Sequence, residues 1–180
     1  ETESKVPIEA LYKENRKIID KSNRYFFVAN PIKIKISNSP KLKVKILLHP
    51  DDKKRGFRNF ETRDEFYIGV NDFKQLKNRQ VCRLMHLMNF KVNNIKTKTF
   101  TFISQPLNQQ LNAKPLHWLP SSDNLIKVEV LMPNGTFVKG LAETDVKKLG
   151  VNEVCQFERF GFCRLDSKQK NKFVFWFGHR

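Results

Sequence analysis

Two runs in this chain alternate apolar and lysine residues with a period of two: Pro31-Ile-Lys-Ile-Lys-Ile and Lys41-Leu-Lys-Val-Lys-Ile. A period of two is that of a β-strand, whose successive side chains point to opposite faces, and a helix cannot hold such a pattern on one side. Each run is therefore predicted as a strand that buries one face and sets a row of lysines on the other. Ser37-Asn-Ser-Pro between them is turn chemistry, which predicts a hairpin with a cationic outer face. Solubility or edge protection is the alternative use of such lysines.

Strand signals dominate the rest of the chain. Phe66 to Val70 reads as a strand ending at Asn71-Asp72, and residues 73–79 are polar enough for a helical turn carrying Lys74, Lys77 and Arg79. Val81 to Val92 reads as one or two strands, although Leu84, Met85, Leu87 and Met88 also suit a buried helical turn. Thr97 to Ile103 is a strand and Gln105 to Ala113 a polar loop; Ile126 to Leu131 and Thr136 to Leu141 flank the hairpin turn Met132-Pro-Asn-Gly-Thr. Val154 to Asp166 and Lys172 to Phe177 are the last two strands, joined by the basic loop 167–171. One helix is predicted, from Val6 to Asp20, with Pro7 in its first turn and an apolar stripe of Ile8, Leu11, Tyr12, Ile18 and Ile19. Many short strands with turns every eight to twelve residues point to antiparallel barrels or sandwiches, and at this length two small barrels are more natural than one. No close internal repeat is visible.

The 180 residues carry a formal net charge of +16, divided as +9 over residues 1–90 and +7 over 91–180. An excess of that size on a folded chain predicts a polyanionic partner whose binding weakens with salt. Nucleic acid is the first candidate. A membrane is disfavoured, because no basic amphipathic helix of useful length and no apolar run near the roughly 18 residues of a span is present. The acidic start Glu1 to Val6 lacks the features of a signal peptide, so the expected location is the cytoplasm. Cys82, Cys155 and Cys163 have no metal-ligand spacing, and reduced buried thiols are expected, with no metal and no cofactor in this chain. Glycine-rich phosphate loops, the GxSxG elbow and the HExxH helix are absent, so no catalytic residue is assigned.

Val154-Cys-Gln-Phe-Glu-Arg-Phe-Gly-Phe-Cys-Arg-Leu-Asp is the stretch with most recognition chemistry. Gln156 and Arg159 can bond a base edge with two parallel hydrogen bonds, and the phenylalanines offer surfaces for an unstacked base. The competing reading is a strand with core phenylalanines and solvated charges. Positions three apart face opposite sides of a regular strand, so joint action of Gln156 and Arg159 requires a bulge or bend, for which Gly161 is a candidate.

Five ordered blocks then carry a resemblance. Arg24-Tyr-Phe-Phe-Val-Ala-Asn-Pro follows Val6-Pro-Ile-Glu and Glu14-Asn-Arg-Lys-Ile-Ile-Asp, and after it come His49-Pro-Asp-Asp with Gly56-Phe-Arg, Val81-Cys-Arg-Leu-Met-His-Leu-Met-Asn, His117-Trp-Leu-Pro, and Gly140-Leu-Ala-Glu with Gln156-Phe-Glu-Arg-Phe-Gly-Phe. Together they resemble the C-terminal anticodon-binding region of archaeal and eukaryotic-type glutamyl-tRNA synthetases. The resemblance implies a mainly β fold of two six-stranded antiparallel β-barrels with a short helical connector. Residues 1–22 would be the connector to a catalytic body, 23–72 plus 125–180 the proximal barrel and 73–124 the distal barrel. The HIGH-like and KMSKS-like motifs of the parent ligase, which would use ATP and magnesium, are not in this sequence, and these residues alone are not expected to be catalytic.

The implied partners are the anticodon stem-loop of the tRNA for glutamate and the catalytic portion of the synthetase, with no membrane and no DNA. By resemblance to the related glutamine enzymes, Arg24, Gln156 and Arg159 would hold the central anticodon base, uridine for both amino acids. Arg83 would stand near the first base, where Met85 replaces a second arginine of that family's pattern. Lys77 and Arg79 would approach the third base or its phosphate. Trp118 is either a stacking platform or a core residue. The same region of a glutaminyl-tRNA synthetase, a non-catalytic RNA-binding β-barrel protein and a protein-interaction module of a synthetase assembly are the alternatives.

Overall fold

The structure is a computed structural model that describes residues 6–170 and 172–180. The acidic start at 1–5 and Asn171 of the basic loop lie outside the described residues. After helix α1 (Ile8–Ile19) comes a stave broken at Phe26 into β1 (Arg24–Tyr25) and β2 (Phe27–Ala29). Then follow β3 (Pro31–Ser37), β4 (Leu42–Leu47), β5 (Phe57–Thr62) and β6 (Glu65–Gly69). A short helix α2 (Val70–Lys74) leads into a meander of β7 (Val81–Leu84), β8 (Met88–Asn94) and β9 (Thr99–Ser104). A second broken stave is β10 (Lys114–Leu116) and β11 (Leu119–Pro120). The hairpin β12 (Ile126–Leu131) and β13 (Phe137–Ala142) and the meander β14 (Val154–Phe157), β15 (Gly161–Gln169) and β16 (Lys172–Phe177) complete the chain.

Apart from the two-stranded sheet β4-β5, the strands form two sheets of equal plan, in the orders β1-β14-β15-β16-β12-β13-β2 and β10-β7-β8-β9-β3-β6-β11. In each, the two outermost strands belong to one continuous segment, 24–29 in the first and 114–120 in the second, so each sheet closes into a barrel of six staves. The pairing senses also repeat. One edge of the closing stave pairs in parallel with the meander, at β1–β14 and at β10–β7, and the meander and the other pair of strands meet in parallel at β12–β16 and β3–β9. The remaining pairs within the two barrels are antiparallel. The expected mainly β fold of two six-stranded antiparallel barrels is borne out, with parallel pairing at these four seams. Strands that meet from distant parts of the chain have no tight turn to set them antiparallel.

The closing staves are exchanged. Segment 24–29 precedes the strands 31–104 but closes the barrel built from 126–177, and segment 114–120, which precedes that second set, closes the barrel built from 31–104. Consequently β3 and β6 pair in the second barrel, whereas the division expected from resemblance grouped 23–72 with 125–180. The crossing point is Asn30, at φ 45°. Its N–H donates to Lys139 O at 2.9 Å in the first barrel, and its carbonyl accepts from Val70 N–H at 3.1 Å beside the second. Asparagine is one of the few residues that enter the left-handed region cheaply.

The alternation of Ile and Lys along β3 is borne out, with Ile34 and Ile36 buried between exposed Lys33 and Lys35. The expected hairpin is not. β3 pairs with β6 and β9, and β4 pairs with β5. The lysine face is also less cationic than predicted, because cross-strand acids meet it: Lys33 with Glu65 at 2.9 Å, Lys35 with Asp64 at 3.2 Å and Lys43 with Glu61 at 2.9 Å. The ambiguous run from Val81 resolves into two strands with a turn at Met85–Leu87.

Two cores result. Tyr25 and Phe27 point into the first, while Phe26 and Val28 of the same stave belong to the second. Trp118 lies at the centre of the second, fully buried among Phe26, Phe60 and Phe66 at centroid distances of 5.8, 5.3 and 5.7 Å, with its Nε1 donating to Met85 O at 2.8 Å. Its role as a stacking platform is thereby excluded. Gly140 allows β13 to approach β2: a Cβ there would lie 2.3 Å from Val28 O. Helix α1 leans on the C-terminus through Tyr12, stacked on His179 at 4.7 Å, and leaves Ile8, Leu11 and Ile18 exposed. No helix among the described residues is long and apolar enough to cross a membrane.

Candidate nucleic-acid interface

Arg24 and Gln156 are directly opposite each other in the parallel pairing of β1 with β14. Their neighbours Tyr25, Cys155 and Phe157 are buried in the first core, so by strand alternation Arg24 and Gln156 both leave the outer face of the sheet. Arg24 lines a cleft of about 310 Å³ together with Lys45, Pro50, Arg58, His86 and Glu158. The cleft lies at the junction of the barrels: Arg24 and Glu158 come from the first, His86 from the β7–β8 turn of the second, and Lys45 from the β4–β5 hairpin. Arg24 is anchored at one nitrogen by Asp20, at 3.5 Å, and 25% of its side chain is exposed. It presents donors, and Glu158 presents an acceptor.

Arg159 is placed elsewhere. β14 and β15 are joined by the tight turn Glu158–Phe160, in which Arg159 takes a φ of 58°. The predicted single strand across 154–166 is therefore a hairpin, and the bend that joint action of Gln156 and Arg159 requires is a full reversal of the chain. Arg159 donates to Pro115 O at 3.1 Å and stands 3.4 Å from Asp72. It lines a second cleft, with Phe27, Asn30, Asp72 and His117, in which Arg24 takes no part. Glu158 at the start of the turn thus lines both clefts, whereas Arg159 lines only the second.

Arg83 on β7 is tied down by Asn89 Oδ1 at 2.9 Å and the carbonyls of Gln105 and Pro106 at 3.2 and 3.3 Å. Burial lowers its pKa from the usual guanidinium value. Lys77 and Arg79 are exposed in the loop before β7. They are close to each other in sequence but are not brought to the Arg24 cleft.

Under the cleft lies an ionic cluster that the sequence reading did not find. Arg58 on β5 is 1% exposed. It donates to Glu143 Oε2 at 2.9 Å and to Glu158 Oε1 at 2.5 Å, with its guanidinium 4.7 Å above the Phe26 ring. Phe26 N–H also donates to Glu143, at 2.6 Å. Burial pushes the Glu143 carboxyl up to about 7, against the downward pull of Arg58 and the Phe26 N–H. The available signal was spacing: Phe60 is a core residue, and the residue two before it on a strand shares its face.

His117 is buried beside this cluster, and burial, with the charges of Arg159 and Arg58, lowers its pKa from 6.5 to about 3. Between those values the unfolded chain holds a proton that the folded one does not, so this group's contribution is complete above about 6.5 and is lost as pH falls towards 3. Glu143 acts in the opposite sense from 4.5 to about 7, so a variant is needed to isolate the histidine. Urea midpoints of His117→Gln are expected to fall less steeply than those of the parent protein between pH 6.5 and pH 4. Parallel curves would refute the assignment.

The three cysteines are buried thiols, with burial raising Cys82 to about 11. No group of three or more potential metal ligands gathers among the described residues.

Fold and site together define a double β-barrel with a mixed donor and acceptor cleft at the barrel junction. Two family models, each described as the anticodon-binding domain of class I (E and Q) tRNA synthetases, match residues 22–108 and 115–166. The chain is 39% identical over 176 residues to a glutamate–tRNA ligase of Methanocaldococcus jannaschii, an alignment covering 96% of this chain and 31% of that protein. It is 33% identical to a glutamate–tRNA ligase of Methanosarcina barkeri, covering 99% of this chain and 31% of that one, and 34% identical to one of Pyrococcus horikoshii, covering 92% and 30%. The chain belongs to the anticodon-binding domain family of class I glutamate and glutamine tRNA synthetases. It spans about a third of the length of the curated relatives it matches.

Proposed function

We propose that this chain is the anticodon-binding portion of a glutamate–tRNA ligase acting in the cytoplasm, and that the junction cleft receives an unstacked anticodon base. The observation that carries the reading is the register pairing of Gln156 with Arg24, which lines a cleft together with Lys45, His86 and Glu158. Uracil offers one donor and two acceptors on its pairing edge. The guanidinium and amide suit the acceptors, and the Glu158 carboxylate suits the N3 proton. Arg159 would meet the same base or its neighbour after exchanging the exposed Asp72 contact, an ion pair of little intrinsic strength. Arg83, Arg79 and Lys77 face the flanking anticodon nucleotides in this reading. Catalysis, with ATP and magnesium, belongs to the catalytic portion, to which helix α1 would connect.

The test is binding to a glutamate-tRNA anticodon hairpin, followed by fluorescence anisotropy, with the central uridine intact or replaced by cytidine. Replacement is expected to weaken binding at least tenfold. Arg24→Ala and Gln156→Ala are each expected to cost about 1–3 kcal/mol and to shrink the uridine preference. Equal binding of both hairpins by the parent protein would overturn base reading at this cleft.

A further inference from the structure

From Phe73 to Ser122 the sequence contains no aspartate or glutamate, yet it carries eight lysines and arginines: Lys74, Lys77, Arg79, Arg83, Lys91, Lys96, Lys98 and Lys114. Half of the net charge of +16 therefore resides in these fifty residues. The fold concentrates it further. The loop after α2 is fastened to the β8–β9 hairpin by Asn78 Oδ1, which accepts from Ile95 N–H at 2.9 Å, and by Arg79 N–H, which donates to Val92 O at 2.6 Å. Lys98 Nζ lies 5.8 Å from the Phe73 ring centroid. Lys74, Lys77 and Arg79 thus share one end of the second barrel with Lys91, Lys96 and Lys98, and all six are exposed. None of them is in an ion pair among the described residues, unlike Lys33 and Lys35 on β3 and Lys43 on β4.

We infer that this end of the second barrel is a landing surface for RNA phosphates, extending the footprint beyond the junction cleft. The inference rests on the RNA-binding reading above. Six exposed ammonium and guanidinium groups without counter-charges repel one another, and a phosphodiester backbone relieves that repulsion while releasing its own counterions. Lysine predominates here. It is a point charge suited to phosphate rather than the planar fork that reads a base edge.

The experiment measures hairpin affinity against salt for the parent protein, for the triple variant Lys91→Gln, Lys96→Gln, Lys98→Gln, and for a control triple variant, Lys127→Gln, Lys147→Gln, Lys170→Gln, that removes the same charge from the first barrel. Three lost phosphate contacts are expected to flatten the slope of log affinity against log salt by about 2. The affinity at low salt should fall at least tenfold, equally for the uridine and cytidine hairpins, and the control should lose less than half as much slope. Equal slopes in the parent and the first triple variant, or equal losses in both variants, would overturn the inference while leaving base reading intact. A first triple variant that keeps the RNA slope but no longer binds poly-glutamate would assign the surface to an acidic protein and overturn it too. Failure of the parent protein to bind either hairpin would remove both readings.

Discussion

Arg58→Ala is expected to destabilise the protein by about 3–5 kcal/mol, the cost of leaving buried charges without their partner. The guanidinium is 1% exposed and its two carboxylate partners are 3% and 16% exposed. Glu143 cannot recover its lost hydrogen bond from solvent without opening the junction, whereas Glu158 at the cleft can do so in part. Urea unfolding followed by tryptophan fluorescence measures the loss, and a change below about 1 kcal/mol, the range of an exposed pair, would refute the buried assignment. A compensating variant sharpens the test. Arg58→Met combined with Glu143→Gln and Glu158→Gln removes all three charges at similar volume and should recover much of the lost stability. Because Glu158 also lines the junction cleft, the single variant is expected to weaken hairpin binding even where it remains folded.

Trp118→Ala should cost about 3–5 kcal/mol, the range for removing a large aromatic side chain from a core. The indole is fully buried against three phenylalanines, and its removal also deprives the Met85 carbonyl of its donor. Trp118→Phe separates the two effects, since it restores most of the packing and leaves only the unpaired carbonyl, about 1–3 kcal/mol. Comparable urea midpoints for the alanine variant and the parent would contradict the central position of this residue.

The strand character of the chain was legible because period-two patterns are local. Ile34 and Ile36 declare their buried face in the sequence itself. The partner of each strand is decided by non-local burial, and there local reasoning paired β3 with β4 across a plausible turn when both find other partners. The resemblance supplied two barrels but not their seams, since the identity of a closing stave depends on which distant edge accepts it. At the site, Arg24 and Gln156 are neighbours as their chemistry suggests. Arg159 differs because a non-glycine residue at φ 58° carries no local signal of a turn. The Arg58 cluster was hidden for a related reason. A charged residue on a strand reads as solvated until the acids that neutralise it, 85 and 100 residues away in sequence, are seen beside it.

The exchange of closing staves bears on the order in which the chain becomes protected during synthesis. By the time Pro120 has been made, every strand of the second barrel exists, and Phe26 and Val28 can be covered. Tyr25 and Phe27, their neighbours in sequence, must wait until the polypeptide has reached Phe177, because the core that receives them is built from the last third of the chain. One short segment is therefore half finished early and half finished last, a built-in interval in which two aromatic side chains depend on late-arriving strands for shelter.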